Sequence, residues 1–312
     1  KPDAATYVGS GKARELAGIV AQEEADTIVV DDDLPPSQRR ALEDATKVKV
    51  VDRTAVILDI FAQHATSREG KAQVELAQLQ YMLPRLRGWG GSLSRQAGGR
   101  AAGDAGIGSR GPGETKIEMD RRVIRSRIAK LRKQIEQMAP ARDVKRGARR
   151  RFGLPTVAVV GYTNAGKSSL TNRLTGSAEL VENALFATLD TAVRRARAKD
   201  GRQYAYVDTV GFVRRLPTQL IEAFKSTLEE VSEADLIVHV VDGSHPDPFS
   251  QIDAVDDVLS DIDGVETIPT IIVFNKADRM DEATRERIEA LMPEAYIVSA
   301  FSGEGVDELR MQ

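Results

Sequence analysis

Cysteine is absent from all 312 residues. That removes disulfides and thiolate metal centres and suits a reducing compartment. Aromatic residues are scarce at 5%, so a core drawn from the 41% hydrophobic content must be mainly aliphatic. No apolar run approaches the roughly 20 residues that a helix needs to cross a bilayer. The chain opens on Lys1 without a charged-then-apolar leader, so no signal peptide is read and a cytoplasmic location is expected. Only three histidines occur, His64, His239 and His245, and none has a neighbour at metal-ligand spacing. No acid–base pair stands out either.

Charge is nearly balanced overall, at −3, but not along the chain. Residues 85–153 hold 19 Lys/Arg against 6 Asp/Glu, a local +13, which leaves −16 on the remainder. A basic segment within an acidic protein points to a polyanionic partner, nucleic acid first. The competing explanation is a solvated helix face.

Three regions separate. Residues 1–70 alternate β-rich runs (Thr6–Val8, Thr27–Val30, Val48–Val51) with helix-like stretches near 12–23 and 37–45, a βαβαβ pattern that predicts a small parallel sheet. Gly9-Ser10-Gly11-Lys12 is too short for a phosphate loop and reads better as a turn before a helix. Asp31-Asp32-Asp33 reads as a solvated strand end rather than a metal site.

In residues 71–153, Ala72, Leu76, Leu79, Leu83 and Leu86 step at heptad spacing, as do Ile117, Ile124, Ile128, Leu131, Ile135 and Met138. Two such stripes predict helices packed as an antiparallel hairpin. The joining segment 88–113 holds ten glycines with Arg95, Arg100 and Arg110, a composition that is costly to order and should be mobile in isolation. Its glycines would let backbone approach RNA, its arginines would pair with phosphates, and Trp89 would stack on a base or anchor the loop. Residues 154–312 alternate buried strand runs (Thr156–Val160, Tyr204–Val207, Leu236–Val241, Thr270–Phe274, Tyr296–Val298) with helical patterns. They predict an α/β domain with a mostly parallel sheet and its active loops at the strands' carboxyl ends.

Gly161-Tyr162-Thr163-Asn164-Ala165-Gly166-Lys167-Ser168 fits GxxxxGK[ST] between a strand and a helix. Backbone N–H groups of such a loop wrap phosphates, Lys167 reaches the β- and γ-phosphates, and the Ser168 hydroxyl ligates Mg²⁺. Asp208-Thr209-Val210-Gly211 follows another strand. It offers a carboxylate for Mg²⁺ through water and a glycine N–H for the γ-phosphate. Asn275-Lys276-Ala277-Asp278 caps a strand. The Asp278 carboxylate suits the paired donors of guanine, which adenine lacks. Ser299-Ala300-Phe301 would complete the base pocket through backbone groups. Each motif is weak alone, but the ordered set specifies GTP and GDP. Between the first two lies Phe186-Ala187-Thr188-Leu189-Asp190-Thr191, where one threonine, Thr188 or Thr191, would close on Mg²⁺ and the γ-phosphate.

These motifs, together with "FAQHATSREGKAQVELAQLQYMLPRLRGWG", "SRQAGG" and "GSRGPGETKIEMDRR", resemble the HflX family of ribosome-associated GTPases over most of the chain. The resemblance implies a P-loop GTPase domain, binding to the large ribosomal subunit through the basic arm and loop 88–113, and splitting or rescue of stalled ribosomes under stress. It selects Thr188 as the magnesium threonine. It also implies more sequence before residue 1 and a further domain after the GTPase domain. The family continues FATLD with Pro-Thr, whereas Thr191-Ala192 stand here.

After DxxG stands Phe212, where other GTPases carry a glutamine that orients water. Slow intrinsic hydrolysis, raised by the ribosome, is therefore expected. Asn164 resembles an asparagine that holds K⁺ across the phosphates. Lys167, Asn164, Thr188 and Gly211 form the expected catalytic set, and a monomer is expected. The alternatives are a ribosome-assembly or RNA-remodelling GTPase and a signalling GTPase with a protein partner.

Overall fold

A computed structural model describes residues 2–86, 112–140, 153–176, 192–197, 201–214 and 217–310, with residues 144 and 147. The described chain forms two compact units, 1–62 with 74–134 and 63–73 with 135–312. Most of the glycine-rich segment 88–113, and all of Phe186 to Thr191 with Thr188, lie outside the described residues.

In the first unit, α1 (Ser10–Gln22), β1 (Thr27–Val30), α2 (Pro36–Thr46), β2 (Lys49–Asp52) and α3 (Arg53–His64) follow in order. β1 and β2 pair in parallel, Thr27 opposite Lys49 through Val30 opposite Asp52. The alternating pattern thus produces a two-stranded βαβ sheet, with Ala13, Leu34, Leu42 and Val50 buried against it. Thr6–Val8 is not a strand. The Asp3 carboxylate accepts from the N–H groups of Ala5 (2.9 Å) and Thr6 (2.8 Å), which closes a turn and leaves Tyr7 in one isolated bridge with Asp3. The aspartate run is engaged locally. Asp32 accepts from Tyr7, Asp33 accepts from Thr54, and Asp31 lies 3.7 Å from Arg53. Lys12 of the short glycine motif pairs with Glu15 at 2.7 Å.

The two heptad stripes lie on α4 (Arg68–Arg85) and α5 (Pro112–Glu136), with Leu86 and Met138 just beyond the helix ends. Ala72, Leu76, Ile128 and Leu131 are buried, and the remaining stripe residues are half-buried. Arg127 grips Glu75 through two bonds, of 2.6 and 2.7 Å, tying α5 to α4. The foot of α4 is fixed by a buried polar knot. Asp52, fully buried, accepts from Tyr81 (2.6 Å) and Arg85 (3.0 Å), while the Arg85 guanidinium also covers the Tyr81 ring. Breaking a buried pair of this sort typically costs about 3–5 kcal/mol, because a stranded charge remains.

The second unit holds a six-stranded sheet in the order β4-β5-β3-β6-β7-β8, formed by β3 (Thr156–Gly161), β4 (Ala192–Arg197), β5 (Gln203–Asp208), β6 (Leu236–Asp242), β7 (Thr270–Asn275) and β8 (Tyr296–Ile297). All pairings are parallel except β4 against β5. The unbroken apolar runs match strands covered on both faces. β3 is buried along its whole length. One face packs on α6 (Lys167–Thr175) and α10 (Val306–Leu309), the other on α7 (Thr218–Ser232) and α8 (Phe249–Leu259); α9 (Glu282–Leu291) contributes Ile288 beside Phe274. This is the P-loop α/β architecture, with its site at the carboxyl edge of β3.

One buried group makes this core sensitive to acid. His239 on β6 is 1% exposed, with Asp256 3.8 Å from Nδ1. Burial, and secondarily the charge of Lys167, lower its pKa from 6.5 to about 4. An unfolded chain binds that proton more readily, so this contribution is complete above pH 6.5 and is lost as pH falls towards 4. The loss should be on the order of 3 kcal/mol. Urea unfolding between pH 7 and 4.5 should show this slope, and His239→Leu should flatten it; equal slopes would refute the assignment.

Candidate functional site

The phosphate loop begins where β3 ends. Gly161 has φ 148°, and a Cβ there would lie 2.1 Å from the Val240 carbonyl oxygen of β6, so only glycine fits. Asn164 stands exposed at the loop's crest with φ 58°, and Gly166, at φ 91°, turns the chain into α6. A Cβ on Gly166 would sit 2.2 Å from Asn275 Nδ2. The helix therefore starts directly under the loop, with its positive end towards the space the loop encloses.

Lys167 is buried and folds back along the loop, donating from Nζ to the carbonyls of Gly161 (3.1 Å) and Tyr162 (2.9 Å). Burial lowers its pKa to about 8, and the negative charge of Asp208 partly opposes this. An anion brought to the loop would favour the charged form. Asp208 is fully buried at the end of β5, in register with Val159. The next turn runs along the phosphate loop. The Thr163 N–H donates to the Phe212 carbonyl (2.8 Å) and the Phe212 N–H to the Gly161 carbonyl (3.1 Å). A Cβ on Gly211 would meet Thr163 at 2.9 Å and Lys167 Nζ at 3.1 Å, which places that glycine backbone against the Lys167 ammonium. Thr209 is buried, its hydroxyl donating to the Val159 carbonyl at 2.8 Å, and Val210 is buried beside it. Phe212 is buried under the sheet and presents no polar group to solvent.

Asn275 ties three loops together. Its Nδ2 donates to the Ala165 carbonyl (2.9 Å), and its Oδ1 accepts from the Ala300 N–H (2.9 Å). Lys276 takes the left-handed conformation at φ 66° and reaches Asp242 at 2.6 Å. Ala277 is buried, and its N–H donates to the Val298 carbonyl at 3.0 Å. The Ser299 hydroxyl donates to Asp278 Oδ1 and so orients that carboxylate. Phe301 is 86% exposed. The phosphate loop, the turn after β5, the 275–278 tetrad and the 299–301 turn thus meet at one edge of the sheet.

Ser168 in the first turn of α6 and Asp208 at the end of β5 supply hard oxygen donors of the kind that suit Mg²⁺. Among the described residues no group of three or more His, Cys, Asp or Glu side chains could hold a metal. The donor set fits an ion that takes its remaining ligands from phosphate and water.

Sequence reasoning missed two parts of this edge. Asp242, the partner of Lys276, was signalled by its place at the carboxyl end of an apolar strand. Arg173, which bonds the 299–303 turn, carries no local signal.

Three family descriptions match successive segments: "GTP-binding GTPase N-terminal" over residues 1–62, "GTP-binding GTPase Middle Region" over 64–149, and "50S ribosome-binding GTPase" over 156–276. A protein named GTPase HflX from Caldanaerobacter subterraneus is 52% identical over 89% of this chain and 63% of its own length. Another of that name, from Lacrimispora saccharolytica, is 49% identical over 97% of this chain and 70% of its own length. The chain thus spans less than two thirds of the first relative. A GTP-binding protein from Sulfolobus solfataricus, crystallised with GDP, superposes with TM-score 0.51 at 26% identity, covering 100% of this chain and 86% of that one. No helix among the described residues is long and apolar enough to cross a membrane.

Proposed function

The chain belongs to the HflX family of GTPases, and from that premise we propose that it binds GTP and GDP, hydrolyses GTP, and acts on the large ribosomal subunit to split or rescue stalled ribosomes. The observation that carries the nucleotide reading is the convergence at one sheet edge of Lys167 with its loop, Gly211, and the Asp278 carboxylate oriented by Ser299.

In this mechanism the loop Gly161–Ser168 holds the phosphates, with Lys167 turned from its carbonyl partners towards the anion. Ser168, Asp208 through water, and Thr188 would hold Mg²⁺, which supplies charge neutralisation on the β- and γ-phosphates. Gly211 offers its N–H to the γ-phosphate. Asp278 and Asn275 read the base, with Lys276, Ala277, Ser299, Ala300 and Phe301 around it. Asn164, exposed at the loop's crest, would bring its side-chain oxygen to a K⁺ ion. Phosphoryl transfer to water needs positioning and charge neutralisation rather than a strong base, so the lack of an acid–base pair is no obstacle. Phe212, apolar and buried, cannot orient the attacking water, so hydrolysis by the protein alone is slow.

The ribosomal part rests on the basic arm. Arg122, Arg125, Lys130, Arg132 and Lys133 are exposed along α5, so their charge is available to phosphates. Sedimentation with large subunits should carry the protein down with a non-hydrolysable GTP analogue and far less with GDP, and rising salt should release it. Equal binding in both nucleotide states would remove the switch from the account.

A further inference from the structure

We infer that Arg173 is a positioning residue for guanine recognition, which holds the turn 299–303 in register with the phosphate-binding helix. The inference rests on the guanine reading of Asp278 and Ala300 and asks what fixes the loop that carries part of it.

Arg173 leaves the last turn of α6 and donates from Nη2 to the Ser302 carbonyl at 2.7 Å. Its guanidinium lies across Gly303, where a Cβ would fall 2.2 Å from Nη2, 3.1 Å from Cζ and 3.3 Å from Nε. Gly303, at φ 97°, thus leaves room for the arginine. The turn it covers is closed on itself. Gly303 N–H donates to the Ser299 carbonyl (2.8 Å), and Ser302 N–H to the Ser299 hydroxyl (3.0 Å). That hydroxyl orients Asp278, and the neighbouring Ala300 N–H bonds Asn275. A second arginine answers in the opposite direction. Arg310, just beyond α10, reaches the carbonyls of Arg173 and Leu174, which lie at the helix end where carbonyls lack helical partners. Phosphates are held at the first turn of α6 and the base-side turn is pinned at its last, so one short helix spaces the two halves of the ligand. Removing Arg173 leaves the Asn275 and Asp278 contacts in place but frees the flank of the turn.

The test compares wild type, Arg173→Ala and Arg173→Lys in binding GDP and, separately, inorganic pyrophosphate with Mg²⁺. Loss of a charged hydrogen bond supports a weakening of roughly tenfold for GDP in Arg173→Ala. GDP release should be faster and pyrophosphate affinity unchanged. Lys keeps the charge but not the flat contact with Gly303, so it should restore part of the loss. GDP and pyrophosphate weakening together would make Arg173 a mere support of the helix, and unchanged GDP affinity would also overturn the inference. If Arg173→Ala does not fold, the same comparison in Arg173→Lys decides between these outcomes. Wild-type protein that fails to prefer GDP over ADP would sink the guanine reading itself, a distinct failure.

Discussion

Asp278→Asn should weaken GDP binding by roughly a hundred- to a thousandfold and turn the preference towards xanthine nucleotides. The carboxylate is held by Ser299, so its position does not depend on the base. On the proposed reading it accepts from two donors of guanine, and hydrogen bonds to a charged partner contribute about 1.5–3 kcal/mol each. Asparagine keeps one acceptor and can still take the Ser299 hydrogen. It turns an amide donor, however, towards a guanine donor, so one bond becomes a repulsion. A loss of about 3–4 kcal/mol corresponds to the stated range. Xanthine carries a carbonyl where guanine has its exocyclic amine, so the new amide finds an acceptor there. Equilibrium titrations with GDP and XDP measure both effects. A variant that still prefers GDP would place the base elsewhere.

The second large effect is on stability. Gly161→Ala should cost roughly 3–5 kcal/mol, because the added methyl meets main chain rather than a side chain that can swing away. The Val240 oxygen, carbon and nitrogen would lie 2.1, 3.0 and 3.3 Å from it, in a central strand paired on both sides. For a unit of this size that range lowers the melting temperature by about 10 °C. Gly176→Ala is the control. Its φ is 70°, but among the described residues nothing lies within 4 Å of the added carbon, so the left-handed strain of about 1 kcal/mol is the cost expected. Thermal unfolding of the two variants should separate them clearly, and equal melting temperatures would contradict the packing account.

The parts of the site that were legible in the sequence are those in which chemistry and chain order coincide. The phosphate loop, DTVG, NKAD and SAF are each a few residues long and follow strand runs whose unbroken apolar character marks a sheet covered on both faces. Strand β4 was not legible. Its sequence Ala-Val-Arg-Arg-Ala-Arg holds three arginines and no apolar run, and it pairs with β5 at the sheet's edge, where Arg195 and Arg197 stand exposed. Thr6–Val8 misled in the opposite sense. β-branched residues suggest a strand, but Asp3 captures the local N–H groups first, as short polar side chains do. Helix α3 starts directly after β2 with no glycine or proline between, and its signal was Asp52, which accepts from the Ala55 N–H at 2.9 Å as a helix cap. Arg173 could not be read at all, since its partner turn is distant in sequence and meets it only once the sheet has formed.

Phe212 links the fold to the central claim. A residue buried in the core and bonded through its backbone to the phosphate loop can shape the site but cannot activate water. The protein is therefore proposed to depend on its ribosomal partner for turnover. GTP hydrolysis measured with and without purified large ribosomal subunits tests this most directly. The account predicts slow turnover alone and a large increase with large subunits, reduced by rising salt as the basic arm is screened. Equal rates with and without subunits would contradict it.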